Sequence, residues 1–291
     1  MTAPHPLDNP VRSSLAGPHA RFAERRGNVL RYPADVSPFL ALPDQPDAAD
    51  WADVAALAGP GALVALAGVR MPPPDGWEVT LIGEGVQLVD HEVEATADGE
   101  AVRLGPGDVP EMLVLAGRTK PGPFLPRTVE LGSYLGFRRH GALVEMAGER
   151  LRPPGWTEIS AVCTDDAWRG LGFASRLVRA LVASIRARGE TAFLHALADN
   201  TTAIRLYEEL GFRLRRGTVF SAARVSTDQP HASAERSLAV PASLELEETV
   251  SLGHQDQAVP QPPGGLAAGR RCDDRAEQRL AADADDRGSH V

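Results

Sequence analysis

The chain has 291 residues, 43% of them hydrophobic, which is enough apolar material for one large or two modest domains with buried cores. A net charge of -9 argues against a nucleic-acid binder, which would carry a basic surface. Two cysteines, Cys163 and Cys272, support neither a disulfide framework nor a metal centre. The opening MTAPHPLDNP lacks the build of a secretory leader, and the longest apolar stretch, near 62–69, is too short for a bilayer. A cytoplasmic protein with no membrane or nucleic-acid partner is therefore expected.

Taken in chain order, residues 1–29 read as polar and irregular. Residues 30–93 read as a partial α/β domain: an extended LRYP, a helix over DAADWADVAALA, and short strands at ALVALA and WEVTLIG separated by MPPPDG. EATADGE, 94–100, reads as a linker. From 101 to 225 the pattern is regular. AVRLG is a strand, DVPEMLVLAGRT a helix, TVELGSYLGF a short helix running into a strand, and GALVEMAGERL a strand. TEISAVC, 157–163, is a further strand. Over 170–188 apolar residues recur at Ala174, Leu177, Val178, Leu181, Val182 and Ile185, the spacing of a helix. TAFLHAL, 191–197, is a strand, and TTAIRLYEEL, 201–210, a helix closed by Gly211. RGTVFSAARV is the last strand. Residues 226–291 contain no Phe, Trp, Tyr or Ile, and disorder is expected there because such a segment buries too little apolar surface to offset its ordering entropy.

The chemistry points to one junction. Between the strand at 157–163 and the long helix lies Arg169-Gly170-Leu171-Gly172-Phe173-Ala174-Ser175. A glycine-bearing turn at a helix start exposes backbone N–H groups and the positive end of the helix dipole, a combination that binds phosphate. Glycines let the backbone approach an anion unobstructed. A dinucleotide fingerprint fits poorly: the sixth position is Ser175, and the acid about 20 residues on, Glu190, precedes the next strand instead of following it.

Two motifs in order, RGLGFA at 169–174 and NTTAIRLYEELGF at 200–212, resemble the pyrophosphate loop and the downstream Asn–Tyr–Leu-Gly-Phe block of the GNAT superfamily of N-acetyltransferases. The resemblance covers roughly 101–225 and is nearest the FR-type group, whose N-terminal region is a degenerate half-domain. It implies a mixed, mainly antiparallel sheet flanked by helices, an α/β (α+β) fold. It also implies an acetyl-CoA-dependent N-acetyltransferase with no metal, acting by direct attack of an amine in a ternary complex. The strands 157–163 and 191–197 would part to admit the pantetheine arm. Backbone groups of Val162, Cys163 and Thr164 would hold that arm and polarise the thioester carbonyl. Arg169 and the amides of Gly170, Leu171, Gly172, Phe173, Ala174 and Ser175 would bind the pyrophosphate. Asn200 and Ala203 would flank the arm, Asn200 also serving as an N-cap.

Tyr207 resembles the residue that protonates the leaving thiolate, its competing role being core packing. Glu158, read as sharing a face with Ser160 and Val162, is the expected base, with His195 the alternative. Cys163, alternating onto the face of Ile159 and Ala161, reads as a small packed residue and not a nucleophile. Phe124, Arg127 and Tyr134 are expected to line the acceptor site for a small-molecule, peptide or protein amine. A CoA-binding sensor without catalysis is the alternative function; retention of both the loop and Tyr207 speaks against it.

Overall fold

Strand alternation dominates the architecture: among the described residues eleven strands join into one sheet in the order β1-β2-β3-β4-β11-β5-β10-β9-β8-β7-β6. The computed structural model describes residues 5–67 and 73–227. The segment 68–72, which includes the first two residues of MPPPDG, and the tail from 228, read above as disordered, lie outside the described residues. The strands are β1 (Glu24–Arg26), β2 (Val29–Arg31), β3 (Phe39–Ala41), β4 (Leu63–Ala67), β5 (Glu78–Asp90), β6 (Val102–Leu104), β7 (Tyr134–Arg139), β8 (Ala142–Glu149), β9 (Trp156–Thr164), β10 (Thr191–Leu197) and β11 (Phe212–Arg224). Among the described residues only the pairs β3–β4 and β9–β10 are parallel, so the expected mainly antiparallel sheet is what forms. The helices are α1 (Pro10–Leu15), α2 (Ala48–Ala58), α3 (Val109–Thr119), α4 (Phe173–Ala187) and α5 (Thr201–Leu210).

Two sequence expectations need correction. Residues 1–29 are not irregular: α1 is capped by Asn9, whose side chain accepts from the Arg12 N–H, and has Pro10 at its first position. Leu7, Val11 and Leu15, four residues apart, are each 1% exposed. The strand at WEVTLIG runs on to Asp90, pairing with β10 on one side and β11 on the other. Residues 30–93 and 101–225 therefore contribute strands to a single sheet.

The helices cover both faces. Along β10, Phe193 packs with Leu7, Val11 and Leu15, whereas Ala192 and Leu194 pack with Leu177, Leu181 and Ile185 of α4. Alternation thus puts α1 and α4 on opposite faces. α5 joins α4, through Tyr207 and Leu210; α3 packs Met112 and Leu115 against Met146, Ala161 and Cys163. The apolar stripe read in the sequence is the buried one, for Leu177, Val178, Leu181, Val182 and Ile185 are all fully buried. Each contributes roughly 1.5–3 kcal/mol by leaving water. Gly211 ends α5 at φ 105, the left-handed conformation expected of it.

Candidate active site

Between β9 and β10 the parallel ladder runs from Thr191↔Trp156 to Leu194↔Ile159 and stops. Beyond that point the two strands are no longer partners, and a fork opens between residues 160–164 and 195–197. β9 also carries a bulge. Met146 opposes Cys163 and Gly148 opposes Ser160, so Ala161 and Val162 together face Ala147. Ala161 accommodates this with φ 52, rare for a residue with a Cβ.

The bulge overturns the simple alternation read from TEISAVC. Ile159 and Val162 pack with the α4–α5 cluster, while Ala161 and Cys163 pack with α3. Glu158 and Val162 therefore do not share a face. Cys163 is buried, and burial pushes its thiol up to about 12, so it is a packed residue with negligible thiolate at neutral pH.

At the far end of β9, Gly170 and Gly172 adopt φ 78 and 75, so both use the left-handed conformation glycine permits. A Cβ built at either would meet nothing within 4 Å, which leaves open space beside this turn. α4 begins at Phe173 with no side chain capping it, so the N–H groups of its first turn are left for another acceptor. Arg169 and Leu171 are exposed, and among the described residues the Arg169 side chain makes a surface ion pair with Asp166, at 2.8 Å. Such a pair is worth little and is readily exchanged for a phosphate. Asn200 caps α5, its Oδ1 accepting from the Ala203 N–H at 3.1 Å. Tyr207 is 8% exposed beside Phe212, and burial raises its phenol above the usual range.

Glu158 is placed quite differently from the expected base. It is fully buried, and its carboxylate accepts from Arg150 Nε at 2.9 Å, Arg150 Nη2 at 2.8 Å and the Leu151 N–H at 3.3 Å. His195 Nδ1 lies 2.7 Å from Oε1. Burial alone would raise this carboxyl, but the Arg150 charge and the hydrogen bonds outweigh it and hold it well below the usual range. A group so committed is a poor proton acceptor, which corrects the assignment of the base to Glu158.

Because Glu158 is ionised, His195 Nδ1 carries the proton it donates, and Nε2 is left as an acceptor. Nε2 lies 3.0 Å from Gln87 Nε2, which also donates to the Leu7 carbonyl at 3.1 Å; Arg215 donates to Gln87 Oε1 at 2.8 Å. His195 is the first β10 residue past the last β9–β10 pair, so it stands at the fork. It lines a cleft of about 760 Å³ with Asp8, Glu84, Gln87, Arg216 and Phe220.

The three residues expected to line the acceptor site are elsewhere. Phe124 and Tyr134 stack edge to face in the core beneath α3, with Tyr134 lying over Gly148, and Arg127 pairs with Glu130 and Asp35 on the surface. Gln87, Arg150, Arg215 and Asp8 were not singled out from the sequence. The available signal for Gln87 was one amide inside the otherwise apolar run VQLV. Among the described residues no group of three or more His, Cys, Asp or Glu is placed to hold a metal, and no helix is long and apolar enough to cross a membrane.

The FR47-like protein family matches residues 134–221, the stretch that contains the fork, the glycine turn and α5. N-alpha-acetyltransferase RimI of Mycobacterium tuberculosis is 39% identical over 83 residues, 28% of this chain and 51% of that protein, so the chain spans about half the length of this curated relative. A crystal structure of a putative acetyltransferase from the GNAT family of Novosphingobium aromaticivorans superposes with a TM-score of 0.71 at 40% identity, covering 77% of this chain and all of that one. With both motifs, the forked sheet and a relative matched over its whole length, the chain belongs to the GNAT family of acetyltransferases.

Proposed function

We propose that the protein transfers an acetyl group from acetyl-CoA to a primary amine by direct attack in a ternary complex. The observation that carries this reading is the uncapped start of α4 behind the Gly170–Gly172 turn, at the open end of the β9–β10 fork. Acetyl-CoA fits the residues present: its pyrophosphate is the anion such a helix start lacks, and Arg169 supplies a cation that is free to turn toward it. Val162, Cys163 and Thr164 present strand backbone to the pantetheine arm, and one of their N–H groups polarises the thioester carbonyl. Bound there, acetyl-CoA supplies the activated acyl group.

On the opposite side of the fork the 760 Å³ cleft takes the acceptor, in place of the Phe124–Arg127–Tyr134 region. Asp8 on the rim is neutralised by Arg215 and Arg216, and the exposed Glu84 carboxylate is the rim group that attracts an ammonium. His195 Nε2 removes its proton, directly or through one water, after displacing the Gln87 N–H. Glu158, held ionised by Arg150, orients the imidazole and offsets the charge it gains, so it acts through His195 as a positioning residue. Tyr207 gives its phenolic proton to the leaving thiolate. The name of the RimI relative makes a protein N-terminal α-amine one acceptor class to test; small amines are the other.

The test is release of free thiol from acetyl-CoA in the presence of an amine and N-terminal peptide panel. Turnover with at least one acceptor, lost in His195→Gln, is expected. Tight acetyl-CoA binding with no acceptor-dependent release would favour a silent CoA-binding module instead.

A further inference from the structure

Glu145 is the buried acid that the mechanism above leaves unused. It is fully buried in the middle of β8, and neither carboxylate oxygen has a hydrogen-bond partner among the described residues. Its place is fixed by register. Glu145 opposes Phe137 on one side and Thr164 on the other, and Phe137 belongs to the α4–α5 cluster. The side chain therefore faces the layer that holds Tyr207, beside the strand proposed to carry the acyl-CoA arm. Thr164 is near enough to favour the anion slightly but makes no hydrogen bond of acceptable geometry.

Among the described residues no cation answers it. The groups around Glu145 are Tyr207 on α5 and Cys163 and Thr164 on β9, and its charge works against ionising Tyr207 and Cys163. Arg139 of β7 and Arg176 of α4 lie over the Phe137 and Phe173 rings, but Glu100 engages both and Asp98 engages Arg176. Desolvation raises the Glu145 carboxyl to about 7, so it exchanges its proton at neutral pH. An unsatisfied buried acid costs stability, and a fold retains such a cost where a ligand answers it.

We propose that Glu145 is a proton-carrying contact for the acyl-CoA arm: with the arm in place its carboxyl is protonated and donates an O–H hydrogen bond into the cleft. The proposal rests on the acetyl-CoA reading of the fork. The arm brings amide and thioester acceptors, which favour the neutral acid as donor. Binding then takes one proton from solvent onto each Glu145 that was ionised beforehand.

Titration calorimetry of the full chain with acetyl-CoA, in two buffers of different ionisation enthalpy, reads this directly. Across pH 6 to 8 the wild type should take up more protons per acetyl-CoA bound than Glu145→Gln does, the excess growing as the pH rises. Glu145→Leu, which removes the unsatisfied acid and keeps the volume, should melt above the wild type in the absence of acetyl-CoA, by more at pH 8 than at pH 5. It should nonetheless bind acetyl-CoA roughly tenfold more weakly, the worth of one hydrogen bond. Equal proton uptake in wild type and Glu145→Gln, or unchanged affinity in a folded Glu145→Leu, would overturn the proposal while leaving the cofactor site intact. A wild type that does not bind acetyl-CoA would overturn both.

Discussion

Glu158→Gln is the perturbation whose size the structure fixes best, because it needs no substrate. The substitution keeps shape and removes one charge. What remains is Arg150, 12% exposed at its side chain, facing a neutral amide in place of two ionic hydrogen bonds of 2.8 and 2.9 Å. Breaking one partner of a buried pair typically costs ~3–5 kcal/mol, because the surviving charge is left uncompensated. For a folded unit of this size that corresponds to a fall in melting temperature of roughly 6–20 °C.

The pH dependence gives a second handle. The folded carboxyl lies below its ordinary value of 4.5, at about 2, so its contribution is fully present above the ordinary value and is lost as pH falls through the folded one. Melting curves across this range should therefore show wild type and Glu158→Gln separated by a constant gap at neutral pH that closes toward pH ~2. The double variant Arg150→Met/Glu158→Leu removes both charges and should recover most of the loss, since an apolar replacement of a buried pair is often neutral or stabilising. A Glu158→Gln protein melting within ~1 °C of wild type at pH 7 would refute the view that this pair is desolvated and mutually dependent.

Three further outcomes are expected. Tyr207→Phe keeps the ring against Phe212, so stability should change by no more than ~1.5 kcal/mol, while kcat with a verified acceptor falls ~10²–10⁴-fold and acetyl-CoA affinity is unaltered; the reverse pattern in a melt and a rate assay would mark Tyr207 as packing alone. Gly172→Glu places a charged side chain at φ 75 beside the helix start and should abolish acetyl-CoA binding by calorimetry in a protein that still unfolds cooperatively. Cys163→Ala should retain acyl transfer, and the native thiol should resist alkylation at neutral pH until the protein is unfolded, because burial holds it protonated.

Elements with a strong local period were legible in the sequence. The stripe of α4, the Gly211 terminus of α5 and the glycine turn between β9 and α4 all depend on neighbours within a few residues, and they fell where the spacing put them. What escaped was set by distant partners. α1 is six residues long, and its Val11 and Leu15 pack, with Leu7 of the preceding turn, against Phe193 far along the chain, so no local period marked it. Phe124 and Tyr134 were expected at the acceptor site because the segment joining the first two helices shapes that site in the family the chain resembles, but α3 folds over them. The Glu158 assignment failed for a similar reason: Arg150, just past the end of β8, and His195, within β10, reach it from the two neighbouring strands, and a carboxylate's proton affinity is decided by such partners.

The bulge at Ala161 and Val162 ties these observations together. In an unbroken strand, residues 158, 160, 162 and 164 would share a face, and acceptor and donor groups would compete for one surface. One extra residue reverses the second half of β9. Glu158 stays with His195 and the cleft walled by the N-terminal segment, while Val162 and Thr164 turn toward Tyr207 and Glu145. Residues with Cβ atoms adopt φ near 52 at a cost of about 1–3 kcal/mol, a strain that persists where the surroundings over-determine it. In the proposed reaction that strain has a use. It sends the amine-deprotonating network and the thiolate-protonating network to opposite faces of one strand, and the two meet only at the fork where β9 and β10 part.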